Sequence, residues 1–158
     1  MKKAKTPIIL FFLFIGIFII TVNNNKKPLS KSEFEAKITS LNYSAIPSND
    51  ELQKANNVTD IVYAINNDLK TQMNYYKFEN FESAKTFFND MKTVFREMET
   101  IDDDEEYNEV NKYNYNKFTL KSSKRYFVVV SLDDTAIYAI SGLDEITNLE
   151  KDLKNLGY

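Results

Sequence analysis

The chain of 158 residues contains no cysteine, no histidine and no tryptophan, and it has only three glycines and three prolines. Without cysteine or histidine it can form no disulfide, no thiol nucleophile, no Ser-His-Asp triad and no zinc site with nitrogen or sulfur ligands. With so few glycines it cannot assemble a glycine-rich phosphate-binding loop. These absences favour a non-enzymatic protein that binds no cofactor. They leave carboxylates as the main candidates for any catalysis.

One stretch near the start has no charged or amide side chain: residues 7–22, PIILFFLFIGIFIITV. As a helix it would be roughly 24 Å long, a little shorter than the roughly 30 Å hydrocarbon core of a bilayer. Three lysines precede it in residues 1–6, and a basic leading tail is expected to stay in the cytoplasm. We therefore expect a single-pass signal anchor that sends the rest of the chain outside the cytoplasm.

Cleavage of this segment would make the protein secreted. Signal peptidase prefers small residues at the two key positions before the cut, and the segment ends in ITVNNNKK, where no such pair occurs. Because the chain lacks cysteine, a lipid-modified N-terminal cysteine is excluded. We expect an uncleaved anchor in the cell membrane, with secretion after cleavage as the alternative.

The remainder of the chain has the size of one domain. Residues 23–31 are mostly polar and predict a spacer, and residues 32–158 predict a single extracytoplasmic domain. Setting aside the five lysines before Pro28 changes the formal net charge from −3 to −8. An acidic domain repels phosphate backbones, so no nucleic-acid partner is expected. The expected partners are the membrane, through residues 7–22, and an envelope protein or cell-wall component.

Hydrophobic periodicity predicts the elements of this domain. The spacing of Ser32 and Glu35 predicts a capping box at the start of the first helix, and Gly157 predicts a left-handed cap at the end of the last one. The noisy alternation after Tyr107 predicts a bulged strand. In order, the elements are a helix over 32–41, strands over 59–66 and 70–78, a long helix over about 81–98, strands over 107–120, 125–132 and 135–141, and a helix over 143–156.

The strand over residues 125–132, RYFVVVSL, is almost entirely apolar. This pattern is typical of a central strand that is buried on both faces. Short turns between successive strands require antiparallel pairing. We therefore predict an α+β fold behind an N-terminal transmembrane helix: an antiparallel sheet of about five strands in the order α-β-β-α-β-β-β-α, with helices packed mainly on one face.

Three segments resemble small uncharacterised domains of bacterial membrane-anchored proteins and lipoproteins, chiefly of low-GC Gram-positive bacteria: YKFENFESAKTFF, RYFVVVSLDDTAIYAI and ITNLEKDLKNLGY. The resemblance covers most of the chain after Val58 and implies an extracytoplasmic location. That family has no assigned activity, so the resemblance implies no functional residue. The chain differs from the lipoprotein members because it lacks the lipidated cysteine.

An acidic run between the long helix and the next strand could bind Ca²⁺, because extracellular calcium tolerates weak sites built from hard oxygen ligands. Its spacing is not that of an EF-hand, and consecutive carboxylates cannot all converge on one ion. A solvated acidic loop is the simpler interpretation. The candidate metal ligands are Asp102, Asp103, Asp104, Glu105 and Glu106.

A second candidate site combines tyrosine rings with amides at Tyr113, Asn114, Tyr115 and Asn116. Amphipathic rings beside hydrogen-bonding amides are what a glycan- or peptide-binding surface needs. Ordinary packing of an edge strand would use the same residue types. Both interpretations stay open at the level of sequence.

A third pair, Asp133 and Asp134, lies between two predicted strands. Hydrolysis by paired carboxylates needs them roughly 5 to 9.5 Å apart across a cleft, whereas neighbouring turn residues tend to point apart, so a turn role is favoured. The sequence therefore predicts an anchored binding or interaction module at the cell surface. The alternative is a carboxylate-dependent hydrolase or a divalent-cation-binding surface protein.

Overall fold

The structure is a computed structural model that describes residues 26–46, 48, 57–99 and 105–158. The predicted anchor, residues 7–22, and residues 102–104 of the acidic run lie outside these ranges. Among the described residues, no helix has the length and apolar character needed to cross a membrane.

The described residues form one sheet of seven strands and three α-helices that pack on it. The helices are α1 (Lys31–Ser40), α2 (Phe81–Glu99) and α3 (Ile146–Leu156), and a 3-10 helix (Leu143–Glu145) leads into α3. The strands are β1 (Tyr43–Ile46), β2 (Val58–Asn66), β3 (Thr71–Phe78), β4 (Glu106–Asn111), β5 (Tyr115–Lys121), β6 (Arg125–Leu132) and β7 (Thr135–Gly142).

The sheet has the strand order β1-β2-β3-β7-β6-β5-β4, and every neighbouring pair is antiparallel. It consists of two meanders, β1 to β3 and β4 to β7, which join where β3 pairs with β7. Helix α2 connects the last strand of the first meander to the edge strand of the second. The predicted antiparallel α+β fold is thus confirmed.

Helices cover both faces of the sheet, so the prediction that they pack mainly on one face is wrong. Helices α1 and α3 share one buried cluster, which includes Phe34 and Leu153, with alternate residues of the central strands. Helix α2 packs Phe88 and Phe95 on the opposite face. The cause lies in β6, whose side chains from residue 126 to residue 132 are all buried. A strand that is apolar on both sides needs a helical layer on each side.

The sheet has two more strands than the five predicted. In β1 only Tyr43 is buried among four residues, so the segment shows no alternation that a sequence pattern could reveal. The region predicted as one bulged strand over 107–120 is a hairpin of β4 and β5. The backbone N–H of Lys112 donates a 2.8 Å hydrogen bond to the carbonyl of Tyr115 across its turn. The broken alternation marks a reversal of the chain, not a bulge.

The folded domain begins before the predicted first helix. Ser30, rather than Ser32, caps α1: its Oγ accepts a 3.3 Å bond from the backbone N–H of Glu33, whose carboxylate accepts a 2.8 Å bond from the N–H of Ser30. The side chain of Leu29 is buried, and its carbonyl accepts a 2.7 Å hydrogen bond from the hydroxyl of Tyr75. Leu29, which the sequence assigned to the spacer, therefore belongs to the core.

The two ends of the sheet have different neighbours. The entry end, as we call it, contains the turns at residues 112–114 and 133–134 and also Lys26, whose Nζ lies over the Tyr115 ring. These two turns are joined by a 2.9 Å hydrogen bond from the N–H of Asp133 to the carbonyl of Asn114. The opposite end, which we call the distal end, contains residues 41–43, the β2–β3 turn at 67–70 and the start of α3.

Candidate functional site

The four residues predicted as a binding surface lie at the β4–β5 hairpin, but they do not share one face. Tyr113 is at the tip of the turn, where 98% of its surface is exposed. Tyr115 and Asn116 are neighbours in β5 and therefore point to opposite faces of the sheet, where both are nearly buried. The structure does not bring these side chains together as one surface.

Two of them, Tyr113 and Asn116, line an open groove of about 470 Å³ between the hairpin and α2, which we call the hairpin groove. Its polar groups bond largely to one another. The amide Nδ2 of Asn116 donates to Ser131 Oγ at 3.1 Å. Glu109 accepts bonds of 2.8 Å from Lys92 Nζ and 3.0 Å from the amide of Asn111. These bonds hold the pKa of the Glu109 carboxyl below its usual value.

The acidic run is only partly described, since the structure describes Glu105 and Glu106 but not residues 102–104. Glu106 lies in β4 and forms a 3.3 Å ion pair with Lys121 of β5. In the described ranges, no three acidic side chains are placed to hold a metal ion together. Calcium binding by the whole run therefore stays a prediction.

The turn role expected for Asp133 and Asp134 is confirmed, because the two residues form the tight connection between β6 and β7. Asp133 adopts a left-handed φ of 49°, which aspartate tolerates better than most residues. Asp134 Oδ1 lies 2.6 Å from Lys77 Nζ on the neighbouring strand β3. Its charge is thus compensated within the fold.

The structure contains a concave site at the distal end that the sequence did not predict. It has a volume of about 460 Å³ and lies between the α1–β1 connection, the β2–β3 turn and the first turns of α3. Amide and carboxyl side chains dominate its lining, and we call it the amide cleft. Its polar lining residues are Asn42, Tyr43, Asn66, Asn67, Asp68, Glu145, Asn148, Lys151 and Asp152.

Asparagines shape the rim of the amide cleft as well as lining it. Asn42 adopts a left-handed φ of 65°, and its carbonyl accepts a 3.2 Å bond from the N–H of Asn67. The side-chain Oδ1 of Asn66 accepts 2.9 Å bonds from the backbone N–H groups of Lys70 and Thr71. Asparagine suits these positions because it tolerates left-handed angles and bonds to nearby backbone. The rim is therefore fixed by local hydrogen bonds.

The lining of the amide cleft contains a half-buried carboxyl group. The hydroxyl of the buried Tyr43 donates a 3.1 Å hydrogen bond to Asp152 Oδ2. Burial, with a smaller effect of the nearby Glu145 carboxylate, raises the pKa of Asp152 above its usual value, against the opposing effects of Tyr43 and Lys151. Glu145 itself accepts a 2.8 Å bond from the amide of Asn148. The cleft thus offers many hydrogen-bond acceptors and more negative than positive charge.

No family model matches the chain, and no curated protein matches it. Among solved structures, it is similar to the extracellular domain of PknH from Mycobacterium tuberculosis, with a TM-score of 0.40 and 10% sequence identity over 82% of this chain and 90% of that chain. A likeness at this level carries no argument about function.

Part of the amide cleft has a signal in the sequence. Glu145, Asn148 and Asp152 are three and four residues apart, a spacing that puts their side chains on one side of a helix. The rest has no such signal, because the cleft also needs residue 42 from the end of α1 and residues 66–68 from the β2–β3 turn. These positions meet only through the pairing of β1 with β2.

Proposed function

We propose that this chain is a non-enzymatic binding module, anchored in the cell membrane by residues 7–22, and that its ligand binds in the amide cleft outside the cytoplasm. The observation that carries the proposal is the concave, acceptor-rich lining of that cleft. The cleft lies at the end of the sheet opposite the entry end. In an anchored protein that position would point the cleft away from the bilayer and toward the cell envelope.

The chemistry of the amide cleft favours a particular class of ligand. Asparagine amides and carboxylates accept hydrogen bonds from hydroxyl and ammonium groups. Among the described residues, Asp68, Glu145 and Asp152 outnumber the cations at the cleft, which are the lining Lys151 and Lys70, whose Nζ lies 3.7 Å from Glu145 Oε1. A phosphate group would be repelled by this charge. A cell-wall glycan or peptide with free hydroxyl or amino groups fits best, in agreement with the expected envelope partner.

A carboxylate-dependent hydrolase is the second candidate, and the raised pKa of Asp152 beside Glu145 is the observation that favours it. Both carboxyl groups, however, already have partners that hold them in place. Tyr43 donates to Asp152, and Asn148 donates to Glu145. This arrangement supports a fixed binding surface more directly than a pair of groups that must exchange protons with a substrate.

The test is thermal unfolding of the full-length protein in detergent, with solubilised cell-wall fragments added. A ligand at a hundred times its dissociation constant stabilises by about 2.7 kcal/mol, which would raise the midpoint by roughly 2 to 8 °C. The double variant Asn148→Ala and Asp152→Asn should lose this increase. Lys121→Ala, on strand β5 and three strands away from β3 in the sheet, is the matched control and should keep it.

Three results would decide against the proposal. An unchanged midpoint with all wall fractions would remove the cell wall as the ligand source, and an equal increase in the double variant would remove the amide cleft as the site. Release of new reducing ends or amino groups from the fragments would favour the hydrolase. A parallel titration with Ca²⁺ tests the acidic run, since an increase with calcium alone would favour the divalent-cation alternative.

A further inference from the structure

The entry end of the domain presents an aromatic ring and several lysines to solvent. Tyr113 exposes 98% of its surface at the tip of the β4–β5 hairpin. Beside it in the turn is the exposed Lys112, and Lys26 lies at the turn end of the same hairpin, with its Nζ 4.1 Å from the centre of the Tyr115 ring. We call Lys26, Lys27, Lys112 and Tyr113 the entry patch.

The charge of the entry patch is positive although the domain as a whole is acidic. Lys117 and Lys112 lower the pKa of Lys26, after the larger effect of its burial, so these ammonium groups lie near one another. The neighbouring carboxylates are largely compensated by other lysines. Glu150 pairs with Lys117 at 2.5 Å, and Asp134 with Lys77 at 2.6 Å. Asp133, in the adjoining turn, and the exposed Glu79 and Glu82, in the connection from β3 to α2, are the other acidic residues described at this end.

The length of chain before the domain limits how far the entry patch can be from the membrane. The predicted anchor ends at Val22, four residues before Lys26. Four extended residues span at most about 14 Å. Each headgroup layer is itself roughly 5 to 8 Å thick. If residues 7–22 span the bilayer, Lys26 and the hairpin beside it must lie within or next to the headgroups.

We propose that the entry patch docks on the anionic headgroups of the membrane that holds the anchor. Tyr113 would enter the interfacial layer, where tyrosine rings are enriched, and the three lysines would contact lipid phosphates. This inference rests on the membrane anchoring in the proposed function, and it adds a fixed orientation of the domain. With the entry end on the bilayer, the amide cleft at the distal end faces outward.

The absence of tryptophan from the chain provides a direct test. Tyr113→Trp introduces one fluorophore at the patch and keeps its aromatic character. Leu69→Trp is the matched control, because Leu69 is 73% exposed in the β2–β3 turn at the distal end. Each full-length variant is placed in nanodiscs whose lipids carry bromine near the top of the acyl chains, which quenches nearby tryptophan. The measurement compares anionic phosphatidylglycerol with zwitterionic phosphatidylcholine.

We expect at least threefold stronger quenching at position 113 than at position 69 in anionic nanodiscs, and a decrease at high salt because the attraction is screened. Changing Lys26, Lys27 and Lys112 to glutamate should abolish the difference, since each lysine contributes about fivefold to binding at an anionic surface. Equal quenching at the two positions, or equal quenching of Tyr113→Trp in both lipids, would overturn the docking. Loss of the protein from the nanodiscs after detergent removal would instead overturn the anchor.

Discussion

Phe88 and Val129 belong to the buried cluster between α2 and the sheet. We predict that Phe88→Asp or Val129→Asp destabilises the domain by about 4 kcal/mol or more, because each change removes apolar contacts and buries a charge without a partner. Thermal unfolding followed by circular dichroism should show no cooperative transition at the wild-type midpoint. Val94 also lies in α2, but 41% of its surface is exposed. Val94→Asp is therefore the control and should change stability by about 0.5 kcal/mol or less.

Asp152 provides a test of pH dependence at a single residue. Burial raises its pKa in the folded state, so its ionisation opposes folding. The protonated carboxyl group contributes to the free energy of unfolding. This contribution is complete below the unfolded pKa of about 3.9, and it is lost as the pH rises through the higher pKa of the folded state. Asp152→Asn removes this ionisation and keeps an acceptor for the Tyr43 hydroxyl.

We therefore expect the stability of Asp152→Asn, relative to the wild type, to increase between pH 3.5 and pH 7. Urea midpoints at the two pH values measure this difference. Asn67→Ala changes a neutral residue of the same cleft, whose side chain bonds to the Ser44 hydroxyl rather than to a carboxylate, and should show a difference that does not depend on pH. A constant difference for Asp152→Asn would mean that this carboxyl group is solvated rather than half-buried.

At the scale of elements, the sequence and the structure assign different N-cap residues to α1. The sequence predicts Ser32 as the N-cap, whereas in the structure Ser30 makes the capping bonds. We predict that Ser30→Ala costs about 1 kcal/mol, the typical loss for an N-cap, and that Ser32→Ala costs less than half as much. Chemical unfolding of both variants measures the two costs. A larger loss for Ser32→Ala would restore the sequence-based assignment.

Most elements with a clear period could be predicted to within a few residues. Strands β2, β3, β6 and β7 follow their alternating or apolar runs, and Gly157 has the expected left-handed φ of 94° at the end of α3. Strand β1 could not be predicted, because its pairing with β2 comes from distant backbone hydrogen bonds rather than from its own pattern. The β4–β5 turn could not be predicted either, since residues 112–114 contain no glycine or proline.

The arrangement of helices on both faces of the sheet has a signal in the sequence. The prediction that residues 125–132 are buried on both faces already requires a helical layer on each face. Helix α2 has its own apolar stripe and provides the second layer. The amide cleft is a different case, because three connections far apart in the chain form it. No local pattern states which connections lie at the same end of a sheet.

At the scale of the whole molecule, the two ends of the sheet differ in chemistry. The entry end combines exposed lysines with an exposed tyrosine, and the distal end combines amides with carboxylates. Membrane docking and the outward orientation of the amide cleft both depend on the predicted anchor, because an anchor at residues 7–22 would turn the first end toward the lipid and the second toward the envelope. Whether residues 1–22 are kept or cleaved is therefore the property that most affects the proposed function.

We predict that the mature protein keeps residues 1–22, because the sequence ITVNNNKK offers no small-residue pair to signal peptidase. Intact-mass analysis of the protein from the membrane fraction should give the mass of the uncleaved chain. Ile20→Ala together with Val22→Ala creates an Ala-Thr-Ala sequence and is the matched control, which should be cleaved and released into the medium. A wild-type protein that starts between residues 23 and 27 would be secreted. Membrane docking would then lose its physical basis, while ligand binding in the amide cleft would still be open to test.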